Sequence, residues 1–477
     1  MDIRDFIKMW EEKGELRRIK AEVDWNLELS HIAQMVQEKG GPALLFERVK
    51  GYESPVLIGV YATVKRLASI LGKPELGSMV ELTRYWLSVL KEKKAAVVSE
   101  EVSSGPILEN VSEGEKADIF SFPVPKFYEA DGHRYFGTAV YMVTKDPESG
   151  RINLGTFRMA VHDEHHLGVQ ILKGKTTDRI LKKYEKMGEK MPVCVVVGGD
   201  PLLGIASAAT LSGVQSAYDV VSTLRGEPLK LVKEELSGLP IPADAEIVIS
   251  GQIDPKILKE EGPFGEYTGY YTEEFFRPLP KPVIEIKRIY HRNNPILICN
   301  TVGRPVGDNH VLYAFARNAS LWMELDAMRI PGIKSVHTLP EAAGRYWVIV
   351  SVQQMYPGHA EQVAHAVLGT NTGMYGTKGV IIVDDDIEAD DLPRVWWALS
   401  VRYLPERGTE IIKRGRSTPL DPALLNEPNK FITSRIILNA TIPFEWEQKP
   451  ILVKLNEEVV NRIKMRKEEL GLSDILS

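Results

Sequence analysis

The sequence predicts a multidomain α/β protein (α+β in its mixture of sheet types), and three observations carry that prediction. The chain has 477 residues, more than one hydrophobic core ordinarily organises. Apolar spacings of three and four dominate its two ends, while short β-like runs between turn residues dominate its middle. Its composition, 44% hydrophobic and 26% charged, is that of a globular protein.

Residues 1–115 read as an N-terminal α/β unit. A first helix is expected over about 2–17, and "SHIAQMVQEKGG" is a second. "PALLFERV" and "PVLIGVYAT" are strand-sized, and "SMVELTRYWLSVLKEKK" is helical again. Residues 116–310 turn β-rich, through "TAVYMVTKD", "INLGTFRMAVHD", "HLGVQILKG", "AEIVISGQID", "KPVIEIKRIYHR" and "NPILICNTV". Turn residues separate these runs, which predicts an antiparallel sheet or barrel with one helical insert over roughly 176–226. Residues 311–477 form a second α/β unit, opened by the long helix "NHVLYAFARNASLWMELDAMR". Its strands include "WVIVSVQQ" and "GVIIVDDD", its helices "GHAEQVAHAVLG" and "LPRVWWALSVRY", and "NEEVVNRIKMRKEELG" closes it.

Charge and cysteine usage exclude several classes. A net charge of −6 argues against a general nucleic-acid binder. The opening stretch reads as an amphipathic helix, and no apolar run reaches membrane-spanning length, so no membrane insertion is expected. Two distant cysteines, Cys194 and Cys299, exclude a disulfide framework and point to a cytoplasmic protein.

Four stretches have the residue types for chemistry. "EEGPFGEYTGYY" places Glu261 and Glu266 five residues apart in a loop rich in Gly and aromatics. Charge in a turn is usually solvated, but aromatic walls can push the proton affinities of two carboxylates apart. "NLGTFRMAV" carries Asn153 and Arg158, which point to opposite faces of a regular strand unless Gly155 marks a bulge. A buried Arg there needs an anionic partner; an edge-strand Arg in solvent is the alternative. "HDEHH" gathers His162, His165 and His166 without a common metal spacing and reads as a solvated turn. "DDDIEADD" has enough acids for Mg²⁺ but reads as a turn leading into a capped helix.

In combination these stretches resemble the UbiD family of decarboxylases. "EGPFGEYTGYY", "NLGTFRM" and "TKGVIIVDDDIE" carry the resemblance, supported by "DIRDFI", "GPALLFERVKGYESPV", "LRGEPLKLVK", "PADAEIVISGQI" and "IYHRNNPI". The resemblance implies an N-terminal α/β domain, a central split β-barrel binding prenylated FMN, and a C-terminal α/β domain for oligomerisation. It implies reversible, non-oxidative decarboxylation of an aromatic or α,β-unsaturated carboxylic acid, phosphorylated isoprenoid precursor acids among them. A flavin prenyltransferase would supply the cofactor, and a homo-oligomer is expected, with the helix from about 456 as a packing arm.

By the same resemblance Glu266 is the proton donor, Glu261 its partner, and Arg158 the bridge of a Glu-Arg-Glu network. Asn153, Thr156, Phe157, Arg158 and Gln170 would line the flavin, with Lys175 close by and Lys378 approaching its phosphate. Family members commonly hold Mn²⁺ against that phosphate with Asn, His and Glu. Asn153 is present, but a gap-free reading puts Lys175 at the His position and Ala217 at the Glu position. Lys175 would then supply the missing cation, or simply start an exposed helix. Two other readings stay open: a non-catalytic UbiD-like subunit of a multi-subunit aryl carboxylase, and an ordinary FMN oxidoreductase.

Overall fold

A computed structural model describes residues 1–91, 97–209, 216–271 and 278–475. The first helix, Ile3–Glu12, starts at a capping box made by Asp2 and Asp5 and buries Ile3, Phe6, Ile7 and Trp10. It ends five residues before the expected limit, because Gly14 takes a φ of 70° and turns the chain into the strand Leu16–Val23. That strand pairs in parallel with Ala43–Val49, which pairs antiparallel with Val56–Ile58. The fourth strand of this sheet is Leu297–Cys299, parallel to Val56–Ile58. The sequence places that segment in the central β region; the fold returns it to the first sheet.

Among the described residues the central sheet has nine strands, and each of its pairings is antiparallel. Its order is Tyr135–Gly137, Met159–Asp163, His166–Val169, Leu279–His291, Ala245–Glu261, Met191–Gly198, Tyr141–Lys145 and Ile152–Thr156, with Asn110–Glu113 against Leu279–His291. The expected helical insert is therefore interrupted. Met191–Gly198 lies inside it, between the helices Thr176–Met187 and Leu202–Ala208, and is central to the sheet. Val193, Cys194 and Val195–Val197 are fully buried, which explains a run with no polar alternation.

The sheet order also decides the shape. Ile152–Thr156 ends the sheet on one side, while Met159–Asp163 is next to last on the other. Only Phe157 and Arg158 join them, so these two strand ends lie within about 11 Å. The sheet must curl into a half-barrel whose split is spanned by those two residues. The expected single strand with a bulge at Gly155 is thus two strands on opposite sides of an opening.

The C-terminal sheet is mixed, in the order Ile333–Thr338, Trp347–Val352, Gly379–Asp384, Ile432–Asn439, Thr409–Arg416. The helices Asp308–Ala327, His359–Gly369 and Leu392–Val401 accompany it. Buried side chains from the first, central and C-terminal sheets join one contiguous hydrophobic cluster. Among the described residues no helix is long and apolar enough to cross a membrane.

Candidate active site

The register of the longest ladder delivers the first carboxylate. Ala245–Glu261 pairs with Leu279–His291 up to its last residue, Glu261, opposite Leu279. The chain then turns at Gly262, whose φ of 114° favours glycine, and runs as a loop to Tyr271. Other elements hold this loop from outside. Gly132 N–H donates to the Pro263 carbonyl at 2.8 Å. Asp131 accepts from Gly265 N–H at 2.8 Å and from Tyr128 N–H at 3.0 Å. Burial pushes the Asp131 carboxyl up to about 6, against the pull of those two N–H groups. His310 Nδ1 accepts from Gly307 N–H at 2.9 Å, which leaves Nε2–H to donate to the Tyr267 carbonyl at 2.7 Å.

Arg158 stands in the split and meets both acids. Its Nε donates to Glu261 Oε1 at 2.8 Å and its Nη1 donates to Glu266 Oε1. The three side chains are nearly sealed, with 8%, 0% and 7% of the Arg158, Glu261 and Glu266 surfaces exposed. The Phe264 ring lies 4.9 Å from the guanidinium carbon. Two carboxylates share one cation out of water, which is the opposite of a solvated turn. A cleft of about 540 Å³ adjoins Glu266, walled by Tyr128, Tyr270, His31 and Arg304 among others.

The remaining candidates divide. Thr156 Oγ1 is 2.9 Å from the Tyr313 hydroxyl, and the Phe157 ring covers Gly155 so closely that a Cβ there would meet it at 2.7 Å. Gln170 N–H donates to the Arg158 carbonyl, and its side-chain Oε1 is buried without a hydrogen-bond partner. Asn153 Nδ2 donates to Thr144 Oγ1 and to Thr177 Oγ1, both at 3.2 Å. Lys378 pairs with Asp421 Oδ1 at 2.7 Å and overlies Tyr346. Lys175 precedes the helix Thr176–Met187 without capping it, its ammonium 5.0 Å from the Tyr375 ring centre. Ala217 is the first residue of the helix Ala217–Arg225.

The histidine turn is only partly solvated. His166 Nδ1 and Lys259 Nζ meet Asp163 at 2.6 and 2.9 Å, but His162 turns inward beside His133. Burial, with His133 adding, pushes His162 down to about 4. Asp384 and Asp386 bind Arg402 at 3.0 and 2.6 Å, and Asp391 caps Leu392–Val401, so the acidic run is a braced turn. The sequence reading missed Asp131 and Gly132, although "ADGH" carries an Asp-Gly turn signal. It also missed His310 and Tyr313, which nothing local marks.

Comparison with known proteins agrees across the chain. Family models of 3-octaprenyl-4-hydroxybenzoate carboxy-lyase match as the N-terminal domain over residues 7–86, the Rift-related domain over 99–305 and the C-terminal domain over 310–440. An uncharacterized protein of Archaeoglobus fulgidus is 34% identical over 439 residues, 88% of each chain. The chain belongs to the UbiD family of carboxy-lyases. Among solved structures it is similar to the UbiD-class enzyme HmfF of Pelotomaculum thermopropionicum in complex with FMN, at TM-score 0.85 and 28% identity over 98% of this chain and 100% of that one. An evolved dimeric form of HmfF in complex with prFMN gives 0.79 and 28% over 95% and 99%. Vanillic acid decarboxylase of Sedimentibacter hydroxybenzoicus gives 0.86 and 29% over 98% and 99%.

Against this family background the metal candidates do not fit a divalent cation. Among the described residues no three His, Cys, Asp or Glu side chains converge as ligands, and of the three expected positions only Asn153 has a ligating oxygen, since the Lys175 ammonium and the Ala217 methyl have none. The flavin candidates fit better. The orphaned Gln170 Oε1 can accept from a ring N–H, and the uncapped N-terminus of Thr176–Met187 with Lys175 suits a phosphate.

Proposed function

We propose that this UbiD-family chain reversibly decarboxylates an aromatic or α,β-unsaturated carboxylic acid with prenylated FMN. The buried Glu261–Arg158–Glu266 arrangement in the barrel split carries the reading. The similarity to HmfF and to vanillic acid decarboxylase supports it. When bound, the prenylated flavin supplies the electron sink for CO₂ loss. Arg158 neutralises one of two buried carboxylates, and a proton on the other balances the site. Glu266, on the loop and beside the cleft, is the acid that delivers that proton; Glu261, anchored by the ladder, holds Arg158 in register. Thr156, Phe157, Gln170 and Asn153 would line the flavin, and Lys175 and Lys378 would face its phosphate.

The central unit, 116–310, would hold the cofactor, and the C-terminal unit, 311–477, the subunit contacts of a cytoplasmic homo-oligomer. A flavin prenyltransferase would be its supplier. The missing ligand set favours binding without Mn²⁺, and it also suits a non-catalytic subunit of a larger carboxylase. Co-expression with a flavin prenyltransferase separates the two. The holoprotein should show the modified-flavin spectrum, retain it after chelation, and release CO₂ from one class in a panel of aromatic and unsaturated acids, or exchange it with labelled bicarbonate. Flavin binding without either reaction would leave the auxiliary role standing.

A further inference from the structure

His162, the inward-facing member of the histidine turn, reaches the back of the acid pair. The ladder between Met159–Asp163 and His166–Val169 slips there: Asp163 pairs with His166 and Val161 with Leu167, which leaves His162 unpaired. Such a bulge re-aims a side chain, and here the imidazole lies over Gly168. A Cβ on Gly168 would meet His162 Nε2 at 2.7 Å and Glu261 Oε2 at 3.5 Å, so both atoms lie within 3.5 Å of one point. Gly168 does not take a left-handed φ, and its missing side chain serves this close approach.

Both atoms are buried, and among the described residues neither has a hydrogen-bond partner. Arg158 Nε occupies Glu261 Oε1, so Oε2 is the oxygen left to face the imidazole. A ring nitrogen and a carboxylate oxygen enclosed side by side each cost stability unless they satisfy one another. They are not in direct hydrogen-bond contact, and one bridging water spans such a gap. The ring is also in the right charge state. Burial, then His133, Lys259 and His166, push His162 down to about 4 against the pull of Asp163, so near neutrality it is uncharged and has one N–H. Glu261 is the further charged group it faces, and an anionic oxygen there favours the tautomer with its proton on Nε2.

We infer that His162 is a positioning residue: its Nε2–H serves Glu261 Oε2, keeps Glu261 ionised beside Arg158, and so directs the single proton of the pair onto Glu266. The inference rests on the carboxy-lyase reading for the use of that proton, which takes the place of the departing CO₂ on the substrate carbon. Without the donor, Glu261 would share the proton. The fraction with the proton on Glu266 would fall, and the pair would hold its last proton to higher pH by the same factor. Two measurements on flavin-loaded, full-length protein test this. With ¹⁵N-labelled histidine, the ring signal that disappears in His162→Gln should report the Nε2–H tautomer near neutrality and should change in Glu261→Gln. An Nδ1–H tautomer, or a signal indifferent to Glu261→Gln, would overturn the inference. In CO₂ release, His162→Leu should lower the plateau of kcat/KM about tenfold and move its basic limb up by about one pH unit. Gly168→Ala, whose Cβ displaces the imidazole nitrogen, should do the same, while His162→Gln, which keeps an N–H there, should restore most of the rate. A loss equal at every pH is what damaged packing would give, and it would overturn the inference, as would a Gln variant as slow as Leu. An Nε2–H signal that responds to Glu261→Gln, with no CO₂ release from any acid, would support the contact while defeating the carboxy-lyase reading.

Discussion

Glu266 is the residue on which the proposed chemistry turns, and its replacement is the sharpest test. Glu266→Gln keeps the shape and one hydrogen bond to Arg158 but has no transferable proton. CO₂ release should fall by about 10²-fold or more while flavin content holds. Turnover at the wild-type rate would remove Glu266 from the mechanism. Arg158→Lys should be nearly as severe, because a point charge cannot hold two carboxylates from two donor nitrogens at once. Asp131 gives a prediction in pH. Its folded value, about 6, exceeds the ordinary 3.8 because it is buried. Its contribution to stability is therefore full below about 3.8 and is lost as pH rises through about 6. The stability of wild type relative to Asp131→Asn should fall across that window, by at most about 3 kcal/mol, as read from denaturant midpoints at each pH. A difference that stays flat would mean Asp131 does not titrate there.

At the scale of elements, the acid loop depends on close backbone contacts that only glycine allows. A Cβ on Gly132 would lie 2.0 Å from the Gly262 carbonyl oxygen, so Gly132→Ala must push the loop away from Arg158. The expected cost is about 1–3 kcal/mol of stability together with a large loss of kcat. Gly77→Ala, where a Cβ meets nothing within 4 Å, is the matched control and should leave both unchanged. Several elements were legible from pattern alone: Glu28–Gln37, Met79–Lys91 and Asp308–Ala327 follow their apolar periodicity. Leu16–Val23 was not, because a strand buried only at its two ends alternates too weakly to be told from the end of a helix.

For the whole molecule, the prediction about assembly falls on the C-terminal tail. Ile451, Val453 and Leu455 are 96%, 97% and 83% exposed, and the helix Glu457–Met465 buries none of its residues against its own chain. Apolar side chains so placed are expected to pack on a second copy. Light scattering should give an oligomer for the full chain and a smaller species for a truncation before Leu455. A monomer in both would defeat the proposal.

What the sequence determined by itself was local or carried in its motifs: the helices of both α/β units, the turn "DDDIEADD" with the helix it caps, and the family text that pointed to Arg158, Glu261 and Glu266. Local periodicity responds to one neighbour face, and these features need no more than that. Only the tertiary structure decided that Phe157 and Arg158 bridge the two sides of the half-barrel, and that Leu297–Cys299 returns to the first sheet. It alone brought Lys175 to Tyr375 across 200 residues, with Arg345 and Arg416 on the same ring. Sheet order and the meeting of distant cations depend on which strand ends the fold sets side by side. No window of sequence contains that pairing.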